Sequence, residues 1–221
     1  MKRLIIAIDG PSGAGKGTIA RTLAATLNYR HVDTGAMYRA IGWKAQHDGV
    51  PLDDEAAVVV LAERSNIAVE GGTVSIDGHD VTQAIRTPEI DKAASSVARM
   101  PHVREVLVAR QRRIGEQGGV VMEGRDIGTV VFPNADLKIY LDASAEERAR
   151  RRLNDPGHSG GQAGAAAVAA SIQARDQSDT TRTASPLTMA TDAVLIDTTG
   201  VPIPEVVARV MRLVEEKFSA R

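Results

Sequence analysis

Residues Leu4-Ile5-Ile6-Ala7-Ile8 form an unbroken apolar run that ends in Asp9-Gly10-Pro11-Ser12-Gly13-Ala14-Gly15-Lys16-Gly17. A run without polar alternation suits a strand buried on both faces, as in a parallel sheet packed between helices. Beyond the loop, Ile19, Leu23 and Leu27 recur at four-residue spacing, one stripe of a helix. Within that frame Gly10 to Lys16 fits G-x-x-x-x-G-K in the context the pattern requires. Glycines let the backbone curl until successive N–H groups converge on phosphate oxygens. The helix N-terminus adds partial positive charge, and Lys16 would reach the β and γ phosphates. A glycine-rich turn with a surface lysine is the plainer alternative, and the flanking strand and helix argue against it.

The rest of the chain repeats the alternation of strand and helix. Tyr29 to Val32 reads as a second strand, and it ends at Asp33-Thr34-Gly35. Three short β-rich runs follow at Ile67–Glu70, Thr73–Ile76 and His79–Val81, separated by Gly71-Gly72 and Asp77-Gly78. Both dipeptides are two-residue hairpin signals, so a small antiparallel meander inserted in an α/β chain is expected. Val103 to Ile114 reads as a helix, Val120–Met122 and Leu137–Leu141 as strands. Ser144 with Glu147 forms a capping-box pattern that opens an Arg-rich helix. From Asn154 to Ala167 the chain turns to Gly, Ser and Ala, which predicts a mobile loop entering an alanine-rich helix. A strand at Ala193–Ile196 and an amphipathic helix at Pro204–Phe218 close the chain. Strands alternating with helices predict a parallel sheet.

Composition removes several classes of function. The 27 Lys and Arg against 28 Asp and Glu leave a net charge of -1, so the basic surplus of a nucleic-acid or anionic-membrane coat is missing. Aromatics at 3% leave little for stacking on single strands. There is no cysteine, hence no disulfide, thiolate metal site or Cys nucleophile. The apolar stretch Leu4–Ile8 is too short for an export signal, which needs roughly 7–15 residues, and a cytoplasmic protein is expected. No run approaches the roughly 18–20 apolar residues of a membrane span. The five histidines, His31, His47, His79, His102 and His158, show no metal-ligand spacing.

Gly-Lys-Gly-Thr at 15–18 together with Asp33-Thr34-Gly35-Ala36-Met37-Tyr38-Arg39 resembles the nucleoside monophosphate kinases, and specifically the bacterial cytidylate kinases. Glu123-Gly124-Arg125-Asp126-Ile127-Gly128-Thr129-Val130-Val131-Phe132-Pro133 agrees, and is more specific than the glycine loop. So do Arg148-Ala149-Arg150-Arg151-Arg152, and Arg175-Asp176 with Asp179 and Arg182 before Ser185-Pro186-Leu187. The resemblance covers nearly the whole chain. It implies a P-loop NTPase-like α/β fold: a parallel five-stranded sheet flanked by helices, a small antiparallel β insertion and a helical lid. As one domain over 1–221, the core would be 1–40, 100–145 and 183–221, the monophosphate-binding insertion 41–99 and the lid 146–182.

The resemblance assigns ATP to Gly10, Pro11, Ser12, Gly13, Ala14, Gly15, Lys16, Gly17 and Thr18, with Arg148 stacking on adenine and Arg152 reaching ATP phosphate. It assigns the acceptor to Thr34, Arg39, Ser95, Arg104, Arg125, Asp126, Arg175, Asp179 and Arg182. Lys16, Arg125, Arg175 and Arg182 would be catalytic. Arg39 and Arg125 would hold the acceptor phosphate, Arg175 and Arg182 phosphate, and Asp179 the ribose. Asp126 would accept from the cytosine N4 amino group with Ser95 assisting, and Arg104 would donate to the N3 and O2 edge. By spacing alone Arg175, Asp179 and Arg182 share one helical face, which an ordinary surface ion pair would also produce. Arg150 and Arg151 are expected to be solvated.

The implied activity is ATP-dependent phosphoryl transfer to CMP and dCMP, giving CDP or dCDP and ADP, in pyrimidine nucleotide metabolism. Mg2+ would accompany ATP. Gly17 stands where a hydroxyl residue usually follows the lysine, so the ion is expected to be held more through water, and its direct ligands stay unknown. The expected partners are ATP and CMP or dCMP, with no nucleic acid and no membrane, and the protein is expected to be a monomer. A P-loop kinase for UMP or another small acceptor, or a nucleotide-hydrolysing switch, is the alternative. A switch has little use for acceptor-side arginines on three separate segments.

Overall fold

A computed structural model describes residues 3–155 and 164–219. Five parallel strands form the central sheet in the order β2-β6-β1-β7-β8. These are β1 (Ile5–Asp9), β2 (Arg30–Asp33), β6 (Val120–Gly124), β7 (Leu137–Asp142) and β8 (Val194–Asp197). All four adjacent pairings are parallel. Every β6 residue is buried, as its polar-free run of Val120, Val121 and Met122 requires.

Helices cover both faces. On one side α1 (Lys16–Leu27) and α8 (Ile203–Ser219) bury Ile19, Leu23, Val206, Val210 and Val214 against Ile6, Ile8, Ile139 and Leu141. The four-residue spacing of the three α8 valines is a helical stripe, and each buried side chain contributes about 1.5–3 kcal/mol. On the other face α5 (Pro101–Gly115) and a single π-helical turn at Ile127–Val131 bury Val108, Ile127 and Val131 against Ala7, Val32 and Met122.

The insertion has its own core. Helices α2 (Thr34–His47), α3 (Glu55–Arg64) and α4 (Pro88–Val97) pack with α5 and a three-stranded sheet of β3 (Ile67–Glu70), β4 (Thr73–Ile76) and β5 (His79–Asp80). Both hairpins turn where the glycine-containing dipeptides predict. Gly71 and Gly72 have φ of 59° and 87°, and Asp77 and Gly78 have 50° and 82°, the double positive φ of a type I′ turn. α2 is continuous through the expected division at residues 40 and 41, so core and insertion share one helix.

α6 (Ala145–Leu153) and α7 (Ala165–Thr181) pack through Ala149, Leu153, Val168 and Ile172. Ser144 caps α6 as expected, its Oγ accepting from the Glu147 N–H at 3.2 Å. Of the expected mobile loop, Asn154 to Ala167, residues 156–163, His158 among them, lie outside the described residues, and from Ala165 the chain is already in α7. Among the described residues no helix is long and apolar enough to cross a membrane.

Candidate active site

Chain order puts β1 in the middle of the sheet, and the chain passes from β6 on one side of it to β7 on the other. Ligands of open α/β sheets collect beyond the carboxyl ends of strands at such a switch point. The register aligns those ends, Asp9 beside Gly124 and Asp33 beside Glu123. A cleft of about 840 Å³ opens there, lined by the loop from Ser12 to Thr18, by Arg39, Glu123, Arg125 and Arg175, and by Arg150, Arg151 and Arg152.

The loop is shaped by what stands behind it. A side chain at Gly10 would strike the Leu141 carbonyl, with its Cβ only 2.0 Å from the oxygen. At Gly13 (φ 80°) a Cβ would lie 2.9 Å from the Arg148 Cβ and carbonyl. The Ser12 N–H donates to Asp176 Oδ1 at 3.2 Å. Arg148 donates to the Ser12 carbonyl at 3.1 Å and to the Ala143 carbonyl at 3.0 Å, and pairs with Asp176. Lys16 Nζ donates to the Pro11 carbonyl at 2.7 Å. Burial, with Arg125 beside it, pulls the Lys16 ammonium down to about 7. Polyphosphate entering the cleft would reverse that shift by adding negative charge.

Two buried carboxylates set the strand ends. Asp9 accepts from the N–H groups of Ile127 and Gly128 at 2.8 and 2.7 Å, which fixes the π turn. Burial pushes Asp9 up to about 6 against the pull of those donors. Glu123 meets His31 Nε2 at 2.9 Å. A Cβ at Gly17 would sit 3.3 Å from Glu123 Oε1, so a side chain there would crowd the carboxylate. Asp33 caps α2 through the Ala36 N–H at 2.9 Å and holds Arg39 at 2.8 Å.

A narrow recess of about 40 Å³ leads off the cleft, lined by Thr34, Tyr38, Ser95, Arg104, Arg125, Asp126, Arg175, Asp179 and Arg182. Arg104 and Asp126 form a buried ion pair at its end, 3% and 5% exposed. Arg104 also lies over the Tyr38 ring, 5.2 Å from its centroid. Arg125 Nε donates to Asp179 Oδ2 at 2.8 Å. Burial raises Asp179, but Arg125, Arg175 and Arg182 outweigh it and hold the carboxyl below the usual carboxylate range. Arg182 Nη2 is 3.8 Å from Asp126 Oδ1 and has no hydrogen-bond partner. Thr34 Oγ1 donates to the Glu123 carbonyl at 2.7 Å, and Ser95 Oγ to the Asp91 carbonyl at 3.0 Å.

The cleft therefore holds a phosphate-type loop, and the recess is lined by the buried Arg104–Asp126 pair. A family model described as "Cytidylate kinase" matches residues 6–216. The chain belongs to the cytidylate kinase family. It is 48% identical to the cytidylate kinase of Solibacter usitatus over 225 residues, 99% of this chain and 95% of that one. It is 50% identical to the cytidylate kinase of Desulfitobacterium hafniense over 219 residues, covering 98% and 94%. Among solved structures, a gluconokinase from Sinorhizobium meliloti superimposes with a TM-score of 0.51 at 15% identity, over 99% of this chain and 98% of that one. That is a likeness of fold alone, and it agrees with a P-loop kinase architecture.

As a cytidylate kinase the chain is a phosphotransferase, and most of the expected residues converge. Ser12 to Thr18, Arg39, Arg125, Arg152 and Arg175 face the cleft, while Thr34, Ser95, Arg104, Asp126, Asp179 and Arg182 face the recess. Gly10 and Pro11 do not line the cleft: Gly10 lies against the Leu141 carbonyl, and the Pro11 carbonyl accepts from Lys16. Arg148 is engaged beneath the loop and does not line the cleft. Arg150 is solvated as expected, 63% exposed, but Arg151 is not. Arg151 donates to Thr198 Oγ1 at 2.9 Å and to the Thr198 carbonyl at 2.6 Å, beside Val201, Pro202 and Ile203 in the cleft wall. Asp9, Asp91, Glu123 and Asp176 are the site residues that sequence reasoning missed. Asp9, Glu123 and Asp176 each lie inside a quoted stretch, whereas Asp91 carried no signal.

Proposed function

We propose that this cytidylate kinase transfers the γ-phosphoryl group of ATP to CMP and dCMP, yielding CDP or dCDP and ADP. The observation that carries the reading is the buried Arg104–Asp126 pair at the end of the recess, with Arg125 and Arg175 shared between recess and cleft. An ionised carboxylate has only acceptors. It suits the N4 amino group of cytosine and opposes the O4 lone pairs of uracil.

The donor lies on the loop. Backbone N–H groups from Gly13 to Thr18 and the α1 N-terminus receive its phosphates, and Lys16 takes the β and γ oxygens. Val201, Pro202 and Ile203 with Arg151 offer adenine an apolar wall and a cationic edge. The acceptor monophosphate meets Arg39 and Arg125. Arg175 and Arg182, with Asp179 on the ribose, complete its surround. Two polyanions approach only where positioned cations offset their repulsion. An acceptor phosphate oxygen then attacks the γ-phosphorus in line, ADP leaves, and no covalent enzyme intermediate forms.

Mg2+ bound with ATP would supply further neutralisation of its phosphate oxygens. The Thr18 hydroxyl and Glu123 carboxylate line the cleft and are hard oxygen donors suited to this ion or its water shell. Gly17 adds no hydroxyl. Among the described residues no cluster of three or more His, Asp or Glu is placed to hold a metal unaided, which suits an ion held largely by phosphate and water.

The test is an acceptor panel of CMP, dCMP, UMP and small hydroxylated metabolites, with ADP release coupled to NADH oxidation. ADP should appear with CMP or dCMP and fall sharply with UMP. Turnover without any acceptor, or equal turnover on UMP, would contradict the reading.

A further inference from the structure

Asp91, in the first turn of α4, lies on the wall of the phosphate cleft. Its two carboxylate oxygens engage two arginines from two other helices. Oδ2 accepts from Arg152 Nη2 of α6 at 2.8 Å, and Oδ1 accepts from Arg175 Nη1 of α7 at 3.0 Å. The partners are 61 and 84 residues away in sequence, so the contact ties the insertion to both helices of the lid segment. Arg152 and Arg175 line the same cleft as the Lys16 loop. A carboxylate bridging two guanidiniums makes the same charge-assisted contacts that phosphoryl oxygens would make.

A second observation points the same way. α4 also supplies Ala94 and Ser95, and its C-cap Ala98, to the recess lined by Arg104 and Asp126. That recess measures about 40 Å³, room for a few water molecules. With Asp91 paired to Arg152 and Arg175, α4 forms one wall of the recess. Burial pulls Arg175 below the usual guanidinium range, and Asp91 is the strongest influence in the other direction, against the like charges of Arg125 and Arg39.

We propose that Asp91 is a built-in stand-in for substrate phosphate: it competes with nucleotide phosphoryl groups for Arg152 and Arg175, and its release lets α4 move off the recess. The inference rests on the reading of the cleft as a polyphosphate site. It makes Asp91 an affinity-setting residue and not a catalytic one. On binding, two arginine–carboxylate contacts are exchanged for arginine–phosphate contacts, with no covalent change. The exchange reduces apparent affinity by the fraction of molecules in which Asp91 has let go. If about one molecule in ten has let go, the reduction is about tenfold.

The experiment measures dissociation constants of ATP and of inorganic tripolyphosphate by calorimetry, with no acceptor present, for the native chain and for Asp91→Asn and Asp91→Ala. Glu105→Gln, which removes the same charge from an exposed position on α5, is the control. Both Asp91 variants should bind both ligands about tenfold more tightly, while Glu105→Gln should match the native chain. In steady-state assays KM should fall and kcat should not rise. Unchanged or weaker binding in a folded Asp91 variant, checked by circular dichroism, would overturn the proposal, as would an equal gain in Glu105→Gln. Because tripolyphosphate and ATP are measured without turnover, failure here is separate from failure of the CMP assignment. If the native chain binds neither ligand, it is the polyphosphate reading itself that falls.

Discussion

Neutralising Asp126 with Asp126→Asn separates base reading from charge balance. Asp126 is 5% exposed, pairs with Arg104 and sits 3.8 Å from Arg182 Nη2. Two buried guanidiniums would then share one carboxylate fewer. Breaking a buried pair of this kind costs about 3–5 kcal/mol of stability, so denaturant unfolding should show a clear loss. Base recognition carries a separate cost. Losing a charged acceptor for the cytosine amino group removes about 1.5–3 kcal/mol, which lowers kcat/KM for CMP about 10- to 150-fold. An asparagine amide can rotate to donate to uracil O4, so kcat/KM for UMP should hold or rise. The assay is steady-state turnover on CMP and UMP in both proteins, at a temperature where the variant remains folded. The CMP/UMP ratio should drop at least about tenfold. A ratio that stays put while activity survives would refute the reasoning and leave Asp126 as the partner of Arg104 alone.

Lys16→Ala should keep the fold and lower kcat by about a thousandfold or more, since a preorganised charge at the transferring group is lost. Near-normal turnover by the folded variant would sink that role. The depressed Lys16 value, about 7, has a pH signature. Between about 7 and the ordinary lysine range the unfolded chain binds the proton and the folded chain does not. This group's contribution to stability therefore rises with pH through that window. ATP binding restores the ammonium, so calorimetry near pH 8 in buffers of different ionisation enthalpy should detect proton uptake that fades toward pH 6. Gly10→Ala should destabilise by about 2–3 kcal/mol through overpacking against the Leu141 carbonyl, seen as a lowered unfolding midpoint.

The sheet was legible because burial on both faces leaves its mark on each strand separately. Leu4–Ile8 and Val120–Met122 are apolar runs with no alternation, while Leu137–Leu141 shows its strand character despite Lys138. The insertion was legible through its turns, since Gly71-Gly72 and Asp77-Gly78 permit the positive φ that a tight hairpin needs. α2, α3 and α4 were not drawn from periodicity. α4 does bury one stripe, Ile90, Ala93, Ala94 and Val97, but two of its four positions are alanines, which mark a buried face only weakly in sequence. The loop lysine and the acceptor arginines lie within motifs and could be named by number. Asp91 could not, because its partners Arg152 and Arg175 come from distant segments. Arg148 and Arg151 show the limit of spacing as a guide. Both belong to one basic helix, yet Arg148 turns beneath the loop and Arg151 toward Thr198 at the cleft wall. The five-residue π turn at Ile127–Val131 was also hidden, since it depends on Asp9 accepting two N–H groups from across the sheet.

The central claim is that the cleft passes a phosphoryl group directly between two nucleotides. Rapid-quench mixing of the protein with γ-32P-labelled ATP, Mg2+ and CMP tests it most directly. The label should pass from ATP into CDP within the first turnover, with none on the protein and none released as inorganic phosphate. Label on the protein, or label accumulating as phosphate while CMP stays unchanged, would contradict it.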